Sequence, residues 1–74
     1  MLKDSLTKQE IVVLKEVIMG KTNKTIAKEL FLSQSTVKAH ISSIIRKFQV
    51  TNRVEVAVKG LLFLKNQENF NFNL

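Results

Sequence analysis

The stretch SQSTVKAHISSIIRKF, residues 33–48, decides how this chain reads. Placed on a helix at about 100° per residue, Val37, Ile41, Ile44 and Phe48 fall on one side. Ser35, Lys38, Ala39, Ser42 and Arg46 fall on the opposite side. The first face is apolar; the second is small, polar and basic, and no acid occurs between Leu30 and Val54. A helix packed by its back and presenting such a front suits the major groove of duplex DNA.

Upstream of this stretch the sequence predicts two helices. Thr7 and Glu10 have the capping-box spacing, and Ile11, Leu14, Val17 and Ile18 follow at helical intervals, with Val13 on the margin of the stripe. Gly20 suits the left-handed position that ends a helix, which places the first helix near 8–19. Thr22 or Asn23 caps a shorter helix over 23–30, with Ile26, Ala27 and Leu30 inward and Lys24 and Lys28 outward. The small side chain of Ala27 allows another helix to approach closely. Phe31 and Leu32 then form a break without glycine or proline, whose shape is expected to come from their apolar packing. Ser33 is the natural cap of the central helix, 34–48.

Downstream, Asn52 caps a fourth helix near 53–65, supported by Glu55 three residues later. This helix is apolar on two sides. The reading gives Val54, Ala57, Val58, Leu61 and Leu64 to the core. It gives Val56, Gly60 and Phe63 to a contact with a second copy, Gly60 allowing close approach; scattered exposed apolar residues would be the bland alternative. Residues 1–65 make one compact all-α domain of four helices. The lead-in Met1–Leu6 is expected to be frayed, and the asparagine-rich tail 66–74 disordered, with Phe70 or Phe72 as its only candidates for laying along the surface.

Seventy-four residues without cysteine exclude disulfide staples and a thiolate zinc site. No apolar run reaches the roughly 18 to 20 residues of a membrane span, and no signal-peptide pattern opens the chain, so a cytoplasmic, nucleoid-associated protein is expected. The net charge of +6 is concentrated in one region. Lys21, Lys24, Lys28, Lys38, Arg46, Lys47 and Arg53 stand against Glu29 alone in residues 21–53, while the flanking segments balance. That field favours a nucleic-acid partner. His40, the only histidine, has no cysteine, second histidine or carboxylate cluster beside it in sequence, so no metal, cofactor or small-molecule ligand is expected. No phosphate loop or activated nucleophile is present, and the reading is not an enzyme.

A helix, short turn and helix with Ala27 and Val37 ten residues apart has helix-turn-helix spacing. The run LTKQEIVVL at 6–14, Gly20, TNKTIAKELFLS at 22–33, STVKAH at 35–40, and Arg53 followed by Ala57 and Val58 closely resemble the LuxR-type helix-turn-helix domain. That family includes the output domains of NarL/FixJ response regulators and the small GerE-like regulators. The resemblance covers about residues 6–64. It implies a bacterial, sequence-specific transcription regulator whose third helix enters the major groove and whose fourth carries a dimer contact. Gln9 and Val12 depart from the family's usual arginine and acid, and Phe48 from its usual leucine.

On this reading Lys38, matching the family's base-contacting lysine, Ala39 and Ser42 meet bases. Thr22, Asn23, Lys24, Ser35, Thr36, Arg46 and Lys47 meet phosphates. Arg53 either binds DNA or pairs with Glu10, and spacing leaves that open. The expected partners are double-stranded DNA and a second copy on a two-half-site operator, with RNA polymerase as a further candidate. The alternative is a protein-interaction module of the same fold acting by heterodimerisation or polymerase contact.

Overall fold

The computed structural model describes residues 5–67. They form four helices: α1 (Lys8–Ile18), α2 (Asn23–Leu30), α3 (Gln34–Phe48) and α4 (Arg53–Gln67). α1 packs on α3 and α4, α2 packs on α3, and α3 packs on α4. The all-α, four-helix architecture is the one the periodicity predicts.

Each start has a local cause. Thr7, Thr22 and Ser33 are extended, and their hydroxyls accept from the amides of Glu10 (3.1 Å), Thr25 (3.2 Å) and Thr36 (3.1 Å). Each satisfies an amide with no partner inside the helix, an effect worth about 1 kcal/mol. At α1 the box closes reciprocally, since the Thr7 amide donates to Glu10 Oε1 at 2.9 Å. At α4 Asn52 Oδ1 accepts from the Glu55 amide at 2.9 Å, but Glu55 reaches past Asn52 to the amide of Thr51 at 2.7 Å.

The ends of α1, α2 and α3 share one device. A residue in the left-handed region follows each helix: Gly20 at φ 82°, Phe31 at 58° and Gln49 at 57°. The next amide then returns to a carbonyl five residues back, Lys21 to Glu16, Leu32 to Ala27 and Val50 to Ile45. Only the first uses glycine. Phe31 therefore does not shape the turn by packing, as its apolar character led one to expect. It is 95% exposed, and the backbone bonds make the turn while Leu32 alone turns inward.

The core joins Leu6, Val13, Leu14 and Val17 to Ile26 and Ala27, to Val37, Ile41, Ile44 and Phe48, and to Val56 and Leu64. Val13 lies at its centre rather than its margin. In α4 Leu64 joins the core and Ala57 packs against it, as expected, but Val54, Val58 and Leu61 of the same expected face do not, and the other face turns inward. Val56 is fully buried, Gly60 is buried, and the Phe63 ring lies 5.5 Å from that of Phe48. Val56 and Gly60 thus belong to the chain's own core, and Phe63 is partly buried against it. The reason is Gly60, where a Cβ would stand 2.5 Å from Leu14 Cδ1 and 3.2 Å from Ile18 Cδ1. The close approach is real, but its partner is α1 of the same chain. Val54, Val58, Leu61 and Leu62 are left exposed instead. Two expectations at the ends are corrected: Leu6, expected to be frayed, is buried in the core, and α4 continues through Asn66 to Gln67, where disorder was expected. The expectations for the first four residues and for the tail past Gln67 fall outside the described residues.

Candidate nucleic-acid interface

Burial of Val37, Ile41, Ile44 and Phe48 fixes the rotation of α3 about its axis. Ser35, Lys38, Ala39, Ser42 and Arg46 are consequently all exposed. Lys38, Ala39 and Ser42 thus form one open patch of an ammonium, a methyl and a hydroxyl. Arg46 lies a turn beyond Ser42 and donates to Ser43 Oγ at 3.4 Å. At the start of α3 the hydroxyls are partly engaged: Ser33 donates to Thr36 Oγ1 at 2.8 Å and shares a 3.1 Å bond with Ser35.

The start of α2 forms a second group. The Thr22 hydroxyl bonds the Thr25 amide and hydroxyl, Lys24 is exposed, and Asn23 Oδ1 accepts from Arg53 Nη1 at 2.7 Å. Helix starts favour anions because their first amides and the positive end of the helix dipole point outward. α2 and α3 each present such a start, bearing hydroxyls and, at α2, an exposed lysine.

Lys47 does not join this surface. Its side chain is 11% exposed, and its ammonium donates to Glu10 Oε1 at 2.8 Å and to the Ser5 carbonyl at 3.1 Å. Assigning it to phosphate is corrected: on the helix it lies about 90° from the centre of the apolar stripe, as Lys38 does on the other flank, and α1 covers the Lys47 side. Its stem lies in the core margin and its charge reaches one buried acid.

Glu10 is the residue that sequence reasoning undervalued. Its Oε1 takes Thr7 N–H and Lys47, and its Oε2 accepts from Ser43 Oγ at 2.6 Å. Burial pushes this carboxyl up, but the bonds from Lys47, Ser43 and Thr7 and the charge of Lys47 outweigh it, pulling it down to about 2. One side chain caps α1 and grips α3 by two residues four apart. The i, i+4 spacing of Ser43 and Lys47 was the available signal.

Arg53 does not pair with Glu10. Its fork donates to Asn23 Oδ1 and to the Lys21 carbonyl, both at 2.7 Å. The Lys21 ammonium in turn bridges Glu16 (2.5 Å) and Glu29 (2.7 Å), and these bonds raise the Lys21 ammonium and lower the Glu29 carboxyl from their ordinary values. His40 is half-buried, and no group of metal-ligating side chains occurs among the described residues. Nor is any helix among them long and apolar enough to cross a membrane.

The family model described as "Bacterial regulatory proteins, luxR family" matches residues 4–59. The chain is 45% identical over 64 residues to a nitrate/nitrite response regulator protein homolog of Haemophilus influenzae, covering 86% of this chain and 30% of that protein. It is 47% identical over 55 residues to the transcriptional regulatory protein LiaR of Bacillus subtilis, covering 74% and 26%. With the nitrate/nitrite response regulator protein NarP of Escherichia coli it shares 42% identity over 62 residues, covering 84% and 27%. The chain spans less than a third of the length of these curated relatives.

Proposed function

The chain belongs to the luxR family of bacterial regulatory proteins and is a DNA-binding regulatory domain, and we propose that it reads duplex DNA with α3 in the major groove while a second copy binds an adjacent half-site. The observation that carries this reading is the open face of Lys38, Ala39 and Ser42, exposed on a helix whose opposite side is fully committed to the core. An ammonium can donate to guanine O6 and N7, a methyl can pack on the thymine methyl, and a hydroxyl can serve either kind of edge.

Thr22, Asn23 and Lys24 at the start of α2, and Ser35, Thr36 and Arg46 on α3, would hold the phosphates on either side, supplying affinity and register but no sequence information. The steep salt dependence of binding follows from Lys24, Arg46 and the rest of the basic field. The copy-to-copy contact falls to Val54, Val58, Leu61 and Leu62 of α4. These are the large apolar side chains that the fold leaves exposed there, beside a hollow of about 280 Å³ lined by Val50, Val54, Glu55, Val58 and Lys59. Such a protein would work at the nucleoid, with RNA polymerase as a candidate neighbour.

Selection of binding sites from a random duplex pool tests the reading. It should return two half-sites with their centres one helical turn apart, or a multiple of it. Recovery of no preferred sequence, or equal binding of duplex RNA, would refute it, because the narrow major groove of A-form RNA excludes a helix.

A further inference from the structure

Arg53 opens α4 beside the exposed Val54, yet its guanidinium reaches the junction of α1 and α2. Nη1 donates to Asn23 Oδ1 and Nη2 to the Lys21 carbonyl, each at 2.7 Å. A guanidinium has only donors, whereas a carboxamide has an acceptor end and a donor end. Contact with Arg53 therefore dictates which way Asn23 faces: its oxygen turns toward α4 and its NH2 group turns away. No hydrogen bond among the described residues engages that NH2 group. It stands at the first residue of α2, next to the exposed Lys24, while the neighbouring Thr22 hydroxyl is occupied by Thr25.

We infer that Arg53 is a positioning residue for DNA binding: it fastens residues 21–23 to α4 and orients the Asn23 carboxamide so that its NH2 group faces a phosphate. This rests on the DNA-binding reading above and deepens it, since it makes α4 both the proposed contact between copies and the brace of the α2 phosphate contact. On this inference the half-buried Arg53 acts through Asn23; its two bonds leave three of the five guanidinium N–H donors, so the salt slope separates positioning from direct phosphate contact.

The test is the affinity of the 74-residue chain for a mixed-sequence duplex of about 30 base pairs over a salt series, with thermal unfolding of every variant. Asn23→Ala is expected to weaken binding about tenfold, as befits one donor lost from a charged acceptor. Asn23→Asp keeps an acceptor for Arg53, so it should melt no lower than wild type. It nevertheless turns an oxygen toward the phosphate, and should bind at least as weakly as Asn23→Ala.

Arg53→Ala should match Asn23→Ala within about threefold at an unchanged salt slope, and adding Asn23→Ala to it should cost nothing further. Arg53→Lys should not restore binding, because one ammonium cannot reproduce the fork. A salt slope lower by about one in Arg53→Ala would mean that Arg53 itself neutralises a phosphate and would overturn the inference. So would additive losses in the double variant, or wild-type binding by either Asn23 variant. If Arg53→Ala fails to fold, Arg53→Lys takes its place: a loss not additive with that of Asn23→Ala supports the inference, and wild-type binding or additive losses overturn it. A wild-type chain that binds no duplex would refute the DNA-binding reading itself, a result visible before any variant is made.

Discussion

The two longest helices, α3 and α4, are both fifteen residues long, and they differ in how many faces could be buried. α3 has one apolar stripe, so its burial is decided by pattern and its opposite face is open by default. α4 has two apolar faces, and pattern alone cannot choose between them. The choice is made by a single missing side chain, Gly60, where α1 crosses. The difference teaches that a helix with one apolar side announces its surface, whereas a helix with two is assigned by whichever face offers the closest approach.

The strongest way to break this comparison is at the residue that holds α3 to α1. Glu10→Ala leaves the buried Lys47 ammonium without its acid, which typically costs about 3 to 5 kcal/mol, and a domain of this size has little more stability than that to lose. Chemical denaturation should find the variant largely unfolded. The same contact makes stability depend on pH. The Glu10 carboxyl is held at about 2 in the folded chain against an ordinary 4.5, so its contribution is complete above pH 4.5 and disappears as pH falls toward 2. The loss should be on the order of 3 kcal/mol. It should be absent in Glu10→Gln, as urea midpoints across that window would show.

For α4 the corresponding position is Gly60. Gly60→Val should destabilise by about 2 kcal/mol, since its added carbons meet Leu14 and Ile18 in a filled core. On an open face the same substitution would be close to neutral. Val58→Asp probes the other side. It should leave the melting point of the isolated domain within the effect of an ordinary surface change, roughly 0.5 kcal/mol, while abolishing cooperative binding to paired half-sites. A large drop in stability would place Val58 in the core and restore the original assignment of faces. The smallest expected effect has the opposite sign. Phe31→Gly should stabilise by about 1 kcal/mol, because the ring is solvated and the left-handed backbone favours glycine.

These particulars show what the sequence made legible. Helix starts were readable because hydroxyl caps act within three residues, and Thr7, Thr22 and Ser33 all perform the expected role. The exposure of Ser35, Ala39, Ser42 and Arg46 was readable because α3 has a single apolar stripe and they lie across from it. Phe31 was misread because an apolar residue suggests burial, whereas its position is set by the backbone's need to turn left-handed. Lys47 and Lys38 are indistinguishable by angle from the α3 stripe, and only the placement of α1 separates a buried counter-ion from an exposed donor. Arg53 joins residues thirty apart, and no periodicity reports such a contact.

Lys38, on the open face of α3, is the proposed base contact. The direct measurement compares wild type and Lys38→Ala for binding to every single-base variant of a selected half-site. A base contact by Lys38 predicts a loss of about 1 to 3 kcal/mol, with preference erased at one base pair and kept at the others. A loss of the same size on every variant, with the preferences intact, would make Lys38 a phosphate contact and contradict it.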